Sequence, residues 1–223
     1  VMSHHFLTSA EVSMIISSLI AIATVLTMGV ISPGPSFIYV ARNAVVHSRR
    51  HGLVTALGTG VGAAIFSLAA MLGLQKLLLM VPELFMVLKV AGGAYLLWLA
   101  VKMFRDATRP LYLALDGDKN DGRTLMMTFR DGLLTQLSNP KTAIIFASIF
   151  SALLPENIPA LFYVAIPLMS FLIDFGWYAI VSLCLSSERP RRAYLRLKTS
   201  VDRASSAVLA ALGMRLIYSS FVK

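Results

Sequence analysis

Long apolar runs separated by short polar stretches dominate the chain, and two of the runs are interrupted internally by proline. The first extends from about Val12 to Ile31, meets Ser32-Pro33-Gly34-Pro35-Ser36, and resumes from Phe37 to about Val46. Apolar runs follow over about Gly52 to Leu74 and Leu84 to Phe104, and Arg105 to Arg123 forms the longest polar connection. The next run starts near Thr124, is interrupted at Ser138-Asn139-Pro140-Lys141 and continues to Leu154. Two more cover about Pro159 to Leu185 and Ala204 to Val222. An α-helix needs about 20 residues to cross a bilayer core of about 30 Å, and these runs reach that length. The pattern predicts an all-α polytopic membrane protein of six transmembrane helices, the first and fourth broken.

The long connection divides the runs three and three. An odd number of crossings in the first half makes the second half enter the membrane reversed, as in an inverted repeat. The expected organisation is one membrane domain over residues 1–223, with repeats at about 12–104 and 124–222 and a cytoplasmic connection at 105–123.

Composition agrees with this: 57% of the 223 residues are hydrophobic and 14% charged, and mean hydropathy is +0.75. Short loops use up the remaining residues, which leaves no room for a sizeable soluble domain. The net charge of +9 changes the picture only through its placement. Arg42, Arg49 and Arg50 follow the first run, Lys102, Arg105, Arg109, Lys119 and Arg123 the third, and Arg189 to Arg203 the fifth. The positive-inside rule makes these connections cytoplasmic and puts both termini on the outer face, so the charge calls for membrane lipid and not for nucleic acid. No lysine or arginine precedes the first run, so a cleaved secretory signal is not expected. The single cysteine, Cys184, excludes an intrachain disulfide and reads as a small buried hydrophobe.

The paired breaks carry the chemistry. Proline removes an amide donor and clashes with the preceding turn, and irregular backbone persists at membrane depth only where it lines a cavity or is covered by protein. Pro33, Gly34 and Pro35 should expose carbonyls at the end of one half-helix and amides at the start of the next. Such ends suit an ammonium and a carboxylate respectively, which together make an amino-acid zwitterion. Asn139, Pro140 and Lys141 form the matching break in the second half. Lys141 is a candidate partner for a substrate carboxylate or for Asp174, set against a lysine that merely snorkels to an interface. Asp174, flanked by Ile173 and Phe175, is the carboxylate well inside an expected span and the candidate for carrying a coupling proton. Gly58 and Gly62 make a GxxxG face for helix packing or sliding. Trp177 lies close to one turn past Asp174 and could share its face.

In order along the chain, Pro33-Gly34-Pro35, the basic turn into Gly52, Gly58-Thr59-Gly60-Val61-Gly62 and Lys89-Val90-Ala91-Gly92-Gly93-Ala94-Tyr95-Leu96 resemble the LysE/RhtB amino-acid exporter family. Phe129, Gly132, Asn139-Pro140-Lys141, Asp174 with Trp177, and Gly213 continue the resemblance through the second half, so that it spans about Ile15 to Tyr218. It implies a six-helix bacterial inner-membrane protein that exports amino acids or related small metabolites, driven by an ion gradient, with protons the expected ion. Many members carry an acidic residue directly after the second glycine of the span-two motif and a histidine a turn later. Here those positions are Ala63 and Phe66, which points to a neutral or apolar side chain on the substrate.

Other classes fit less well. Divalent-metal efflux needs clustered soft or borderline ligands, and no histidine or repeated carboxylate falls within an expected span. A redox carrier needs paired cysteines, and no arrangement of nucleophile, base and orienting residue suggests an enzyme. No cofactor is expected. A non-transporting scaffold would have packed, dry breaks. Asp116 to Gly122 imitates the start of an EF-hand loop, but Asp121 stands where the loop needs glycine and Met127 where it needs glutamate. Spare apolar surface and glycine-rich faces leave a homodimer open.

Overall fold

The computed structural model describes residues 9–80, 82–109, 122–155 and 157–221. Its elements are α1 (Ser9–Ile31), α2 (Pro35–Val46), α3 (Arg49–Met80), α4 (Pro82–Asp106), α5 (Leu125–Leu137), α6 (Pro140–Leu153), α7 (Phe162–Leu185) and α8 (Glu188–Phe221). Four helices among the described residues are long and apolar enough to cross a membrane, within α1, α3, α7 and α8. Most of the expected 105–123 connection, with its EF-hand-like turn, lies outside the described residues.

The expected first and fourth spans are each two helices, because proline enters at the start of the second piece. Pro35 opens α2 behind the extended Gly34, and Pro140 opens α6 behind Asn139. Proline fits this position, since the first amides of a helix have no internal acceptor. Thr124 caps α5 by accepting from the Met127 amide at 3.2 Å. Ser48 does the same for α3 through the His51 amide at 3.3 Å, which starts that helix earlier than the expected Gly52.

The largest departure is α8. The basic stretch from Glu188 was expected to be a connection leading into a span at Ala204, yet one helix of 34 residues runs through both. Arg, Leu, Ala and Lys are good helix formers and Pro190 falls within the first turn, where proline is tolerated. The stretch also has a surface to dock on. Thr199 Oγ1 donates to the Ala107 carbonyl at 3.0 Å, and Lys198 Nζ pairs with Asp202 Oδ2 at 2.6 Å against the end of α4.

One buried cluster ties the bundle together: Ile22 and Leu26 of α1, Leu96 of α4, Ile149 and Phe150 of α6, with Ile166 of α7 and Leu209 of α8. A second joins Phe37 and Val40 of α2 to Ala56 of α3 and Val181 of α7. Large apolar side chains remain outside, among them Ile20, Ile65, Leu72, Val101, Leu172 and Ile180. An apolar exterior around an apolar core is what lipid as solvent allows. Several basic residues sit where helices begin or end, whereas Lys76 lies near the other end of α3 from Arg49. Arg49 reaches Ser186 at 3.3 Å, His51 reaches the Arg123 carbonyl at 3.2 Å, and Lys198 lies 3.5 Å from the Ala107 carbonyl.

Glycines set the closest approaches. A methyl on Gly132 would come within 2.6 Å of the Thr55 carbonyl, and one on Gly58 would collide with the Phe129 carbonyl, so α3 and α5 meet backbone to backbone. Gly93 and Gly213 do the same for α4 and α8, each facing the other's carbonyl. Small residues of this kind let membrane helices gain van der Waals contact at short range.

Candidate substrate site

The two breaks, about a hundred residues apart in sequence, cross each other in space. Ser36, directly after Pro35, donates from Oγ to Gln136 Oε1 at 2.5 Å and accepts from Asn139 Nδ2 at 3.1 Å. Gln136 Nε2 in turn donates to Asp174 Oδ2 at 2.9 Å. Asn139, Ser36, Gln136 and Asp174 are all buried. Their donors point one way, from the second break through the first break to the carboxyl group. Such chains reinforce each bond in a low-dielectric interior.

The helix ends at the breaks have opposite character. Pro33 and Pro35 lack an N–H, so Gly29 and Ile31 lose the donors that a continuing helix would supply to their carbonyls. Lys141 Nζ, from the other break, donates to the Ser32 carbonyl at 2.5 Å at this same end of α1. At the start of α6 the Asn139 side chain accepts from the Lys141 amide at 3.0 Å. The negative end of one helix dipole and the positive end of another therefore lie side by side.

A narrow cavity of about 30 Å³ sits between them, with Gly29 and Val30 of α1, Thr142 of α6 and Asp174 of α7 in its wall. Leu26, Ala63, Ile145, Phe146 and Ile173 give it an apolar side. About two water molecules fit such a volume, so any larger ligand enters only if the walls move apart. Two buried wall atoms, Asp174 Oδ1 and Ser170 Oγ, have no hydrogen-bond partner among the described residues. A wider recess of about 390 Å³ lies on the basic side and is lined in part by Trp98, Lys102, Arg109, Lys198 and Asp202. Gly34, Asn139 and Lys141 border both spaces.

The structure thus brings together Pro33, Gly34, Pro35, Asn139, Pro140, Lys141 and Asp174. Lys141 bonds to the Ser32 carbonyl and not to the expected Asp174. Gly62 belongs to the same neighbourhood, because a methyl there would come within 2.8 Å of Gln136 Cβ. Gly58 serves the α3–α5 crossing. Trp177 does not reach the cavity: it packs with Tyr194, ring centroids 6.3 Å apart, at the second apolar cluster. Sequence reasoning missed Ser36 and Gln136. The available signal was weak, an uncharged polar residue beside one break and another inside an apolar run.

Comparison with known proteins fits this architecture. Residues 27–220 match the LysE type translocator family, and the chain belongs to that family. It is a multi-pass inner-membrane transporter and not an enzyme. Among its relatives, the threonine efflux protein of Salmonella typhi is 32% identical over 198 residues, covering 89% of this chain and 96% of the relative. The threonine efflux protein of Escherichia coli K12 is 30% identical over 200 residues, covering 90% and 97%. The uncharacterized membrane protein YahN of the same strain is 32% identical over 191 residues, covering 84% and 83%. No solved structure matches the chain.

Proposed function

We propose that the chain is a secondary-active exporter of neutral amino acids, with threonine the first candidate, driven by proton antiport. The observation that carries this reading is the meeting of the α1 carbonyl end and the α6 amino end at one cavity whose hydrogen-bond relay ends on Asp174. Opposite helix ends fit the two charges of a zwitterion. The apolar wall at Ala63, Phe146 and Ile173 favours a side chain without charge. The names and near full-length coverage of the threonine efflux relatives favour threonine within that class.

Gln136 supplies an N–H to Asp174 Oδ2, and Oδ1, with the Thr59 hydroxyl nearby, is the oxygen that would take the proton. An ionised Asp174 attracts the substrate's ammonium, and protonation removes that attraction. Proton and substrate then compete for one site, which is the requirement for antiport. The positive-inside rule puts the basic end in the cytoplasm, so the wide recess opens inward and both termini face outward. Two inverted three-helix repeats are supported by the packing of corresponding members, α3 on α7 and α4 on α8. Rocking of one repeat against the other would carry the site from one side to the other. The divalent-metal alternative gains no support, since no group of three His, Cys, Asp or Glu residues gathers among the described residues.

Counterflow in proteoliposomes loaded with a panel of amino acids, with and without an imposed pH gradient, tests the reading. Uptake of a neutral class that accelerates with the gradient is expected, and Asp174→Asn should lose the acceleration and retain exchange only at higher substrate concentration. Exchange by no amino acid would reject the exporter, and a gradient response that survives in Asp174→Asn would reject the proton assignment.

A further inference from the structure

Lys141 does more than border the cavity. Its ammonium lies on the Ser32 carbonyl, at the α1 end whose Gly29 and Ile31 carbonyls the two prolines deprive of donors. An amino acid's α-ammonium is the same chemical group, a compact cation with three N–H donors. The place where the exporter reading puts the substrate's ammonium is therefore already taken by one belonging to the protein. We propose that Lys141 holds the substrate's ammonium subsite, and that binding exchanges it from the Ser32 carbonyl onto the substrate's carboxylate. This rests on the amino-acid exporter reading and assigns a subsite within it.

Three further observations bear on the exchange. Gly34 is where the lysine stem passes, since a methyl there would come within 3.1 Å of Lys141 Cδ and 3.4 Å of Nζ. Lys141 also borders both the narrow cavity and the recess. The opposite wall carries the unpartnered Asp174 Oδ1 and Ser170 Oγ, buried acceptors that a ligand with spare N–H groups would satisfy.

Exchange of one ammonium for another gains nothing by itself. It leaves the lysine cation partly buried without its carbonyl, which is unfavourable. A substrate that also brings a carboxylate supplies the missing partner through a charge-assisted bond. Selectivity for a molecule with both charges then follows from the lysine: a plain amine displaces it at a loss, and an amino acid does not. The same displacement moves a side chain that borders both spaces, so entry and recognition would be one event.

The test compares purified wild type with Lys141→Met and Lys141→Arg. Thermal stabilisation is titrated with neutral amino acids, threonine first, and with the amine each leaves on decarboxylation, 1-aminopropan-2-ol for threonine. Wild type should prefer the amino acid strongly, Lys141→Arg should keep most of that preference, and Lys141→Met should narrow it by about tenfold or more, chiefly through tighter binding of the amine. If Lys141→Met folds poorly, Lys141→Gln carries the same expectation without the charge. An unchanged preference in the neutral variants, with wild type still binding amino acids, overturns the exchange and leaves the exporter intact. A wild type that binds no amino acid overturns the exporter reading and the exchange with it.

Discussion

Ser36→Ala removes a single oxygen, yet that oxygen joins the two halves of the bundle. It donates to Gln136 at 2.5 Å and accepts from Asn139 at 3.1 Å, both across the crossing of the breaks. The site is dry enough that water will not easily replace it, with Ser36 1%, Gln136 3% and Asn139 5% exposed. Hydrogen bonds between membrane helices contribute about 0.6 kcal/mol on average and about 1.7 at most, so losing two should cost about 1–3 kcal/mol. The measurement is reversible unfolding in mixed detergent micelles for Ser36→Ala, Asn139→Ala and the double variant. Asn139→Ala also removes the cap of α6, but the cycle cancels that loss and isolates the contact. A coupling of about 0.6–1.7 kcal/mol is expected. Single losses that add to the double within about 0.3 kcal/mol would show that Asn139 does not bond Ser36, and the first link of the relay would have to be abandoned.

Gly213→Ala should destabilise by about 1–3 kcal/mol, because its methyl would sit 2.8 Å from the Gly93 carbonyl and 3.1 Å from the Leu97 amide, neither able to turn aside. Gly176→Ala is the control: nothing lies within 4 Å of the added methyl, and thermal unfolding should be unchanged or slightly later. Lys198→Met strands the Asp202 carboxylate and should cost about 2–3 kcal/mol, under the 3–5 of a dry pair because Asp202 also borders the open recess; a paired Lys198→Met, Asp202→Leu variant should recover much of this in the same unfolding assay. Ala63→Asp puts a second carboxylate on the cavity wall, and counterflow should shift from neutral towards cationic amino acids. Retention of neutral preference with full activity would place the side chain of the substrate elsewhere.

The proline breaks were legible because Pro-Gly-Pro and Asn-Pro disrupt a helix by their covalent structure, whatever surrounds them. The helix ends followed from the same local chemistry. Where Lys141 would go was not legible, since its partner is a backbone carbonyl 109 residues away and carbonyls leave no mark in a sequence. Ser36 and Gln136 stayed hidden for a related reason: each is an ordinary polar residue until the fold puts it within bonding distance of the other. The α8 start was misplaced because its charges were read as an orientation signal alone, although lysines and arginines also propagate a helix. Trp177 shows the limit of periodicity, which places a residue near a face but not on one side or other of its neighbour.

The relay has one member that can face two ways. Gln136 now turns its amide towards Asp174 and its carbonyl towards Ser36. If the halves separate and Ser36 withdraws, the side chain loses what fixes that orientation. Reversed, it would present a carbonyl oxygen to Asp174, to which a protonated carboxyl can donate and which an ionised one repels. The rotation of one glutamine is thus tied both to the distance between the breaks and to whether the carboxyl carries a proton. Under the proposed proton antiport, that one side chain would link the separation of the breaks to the protonation of the carboxyl.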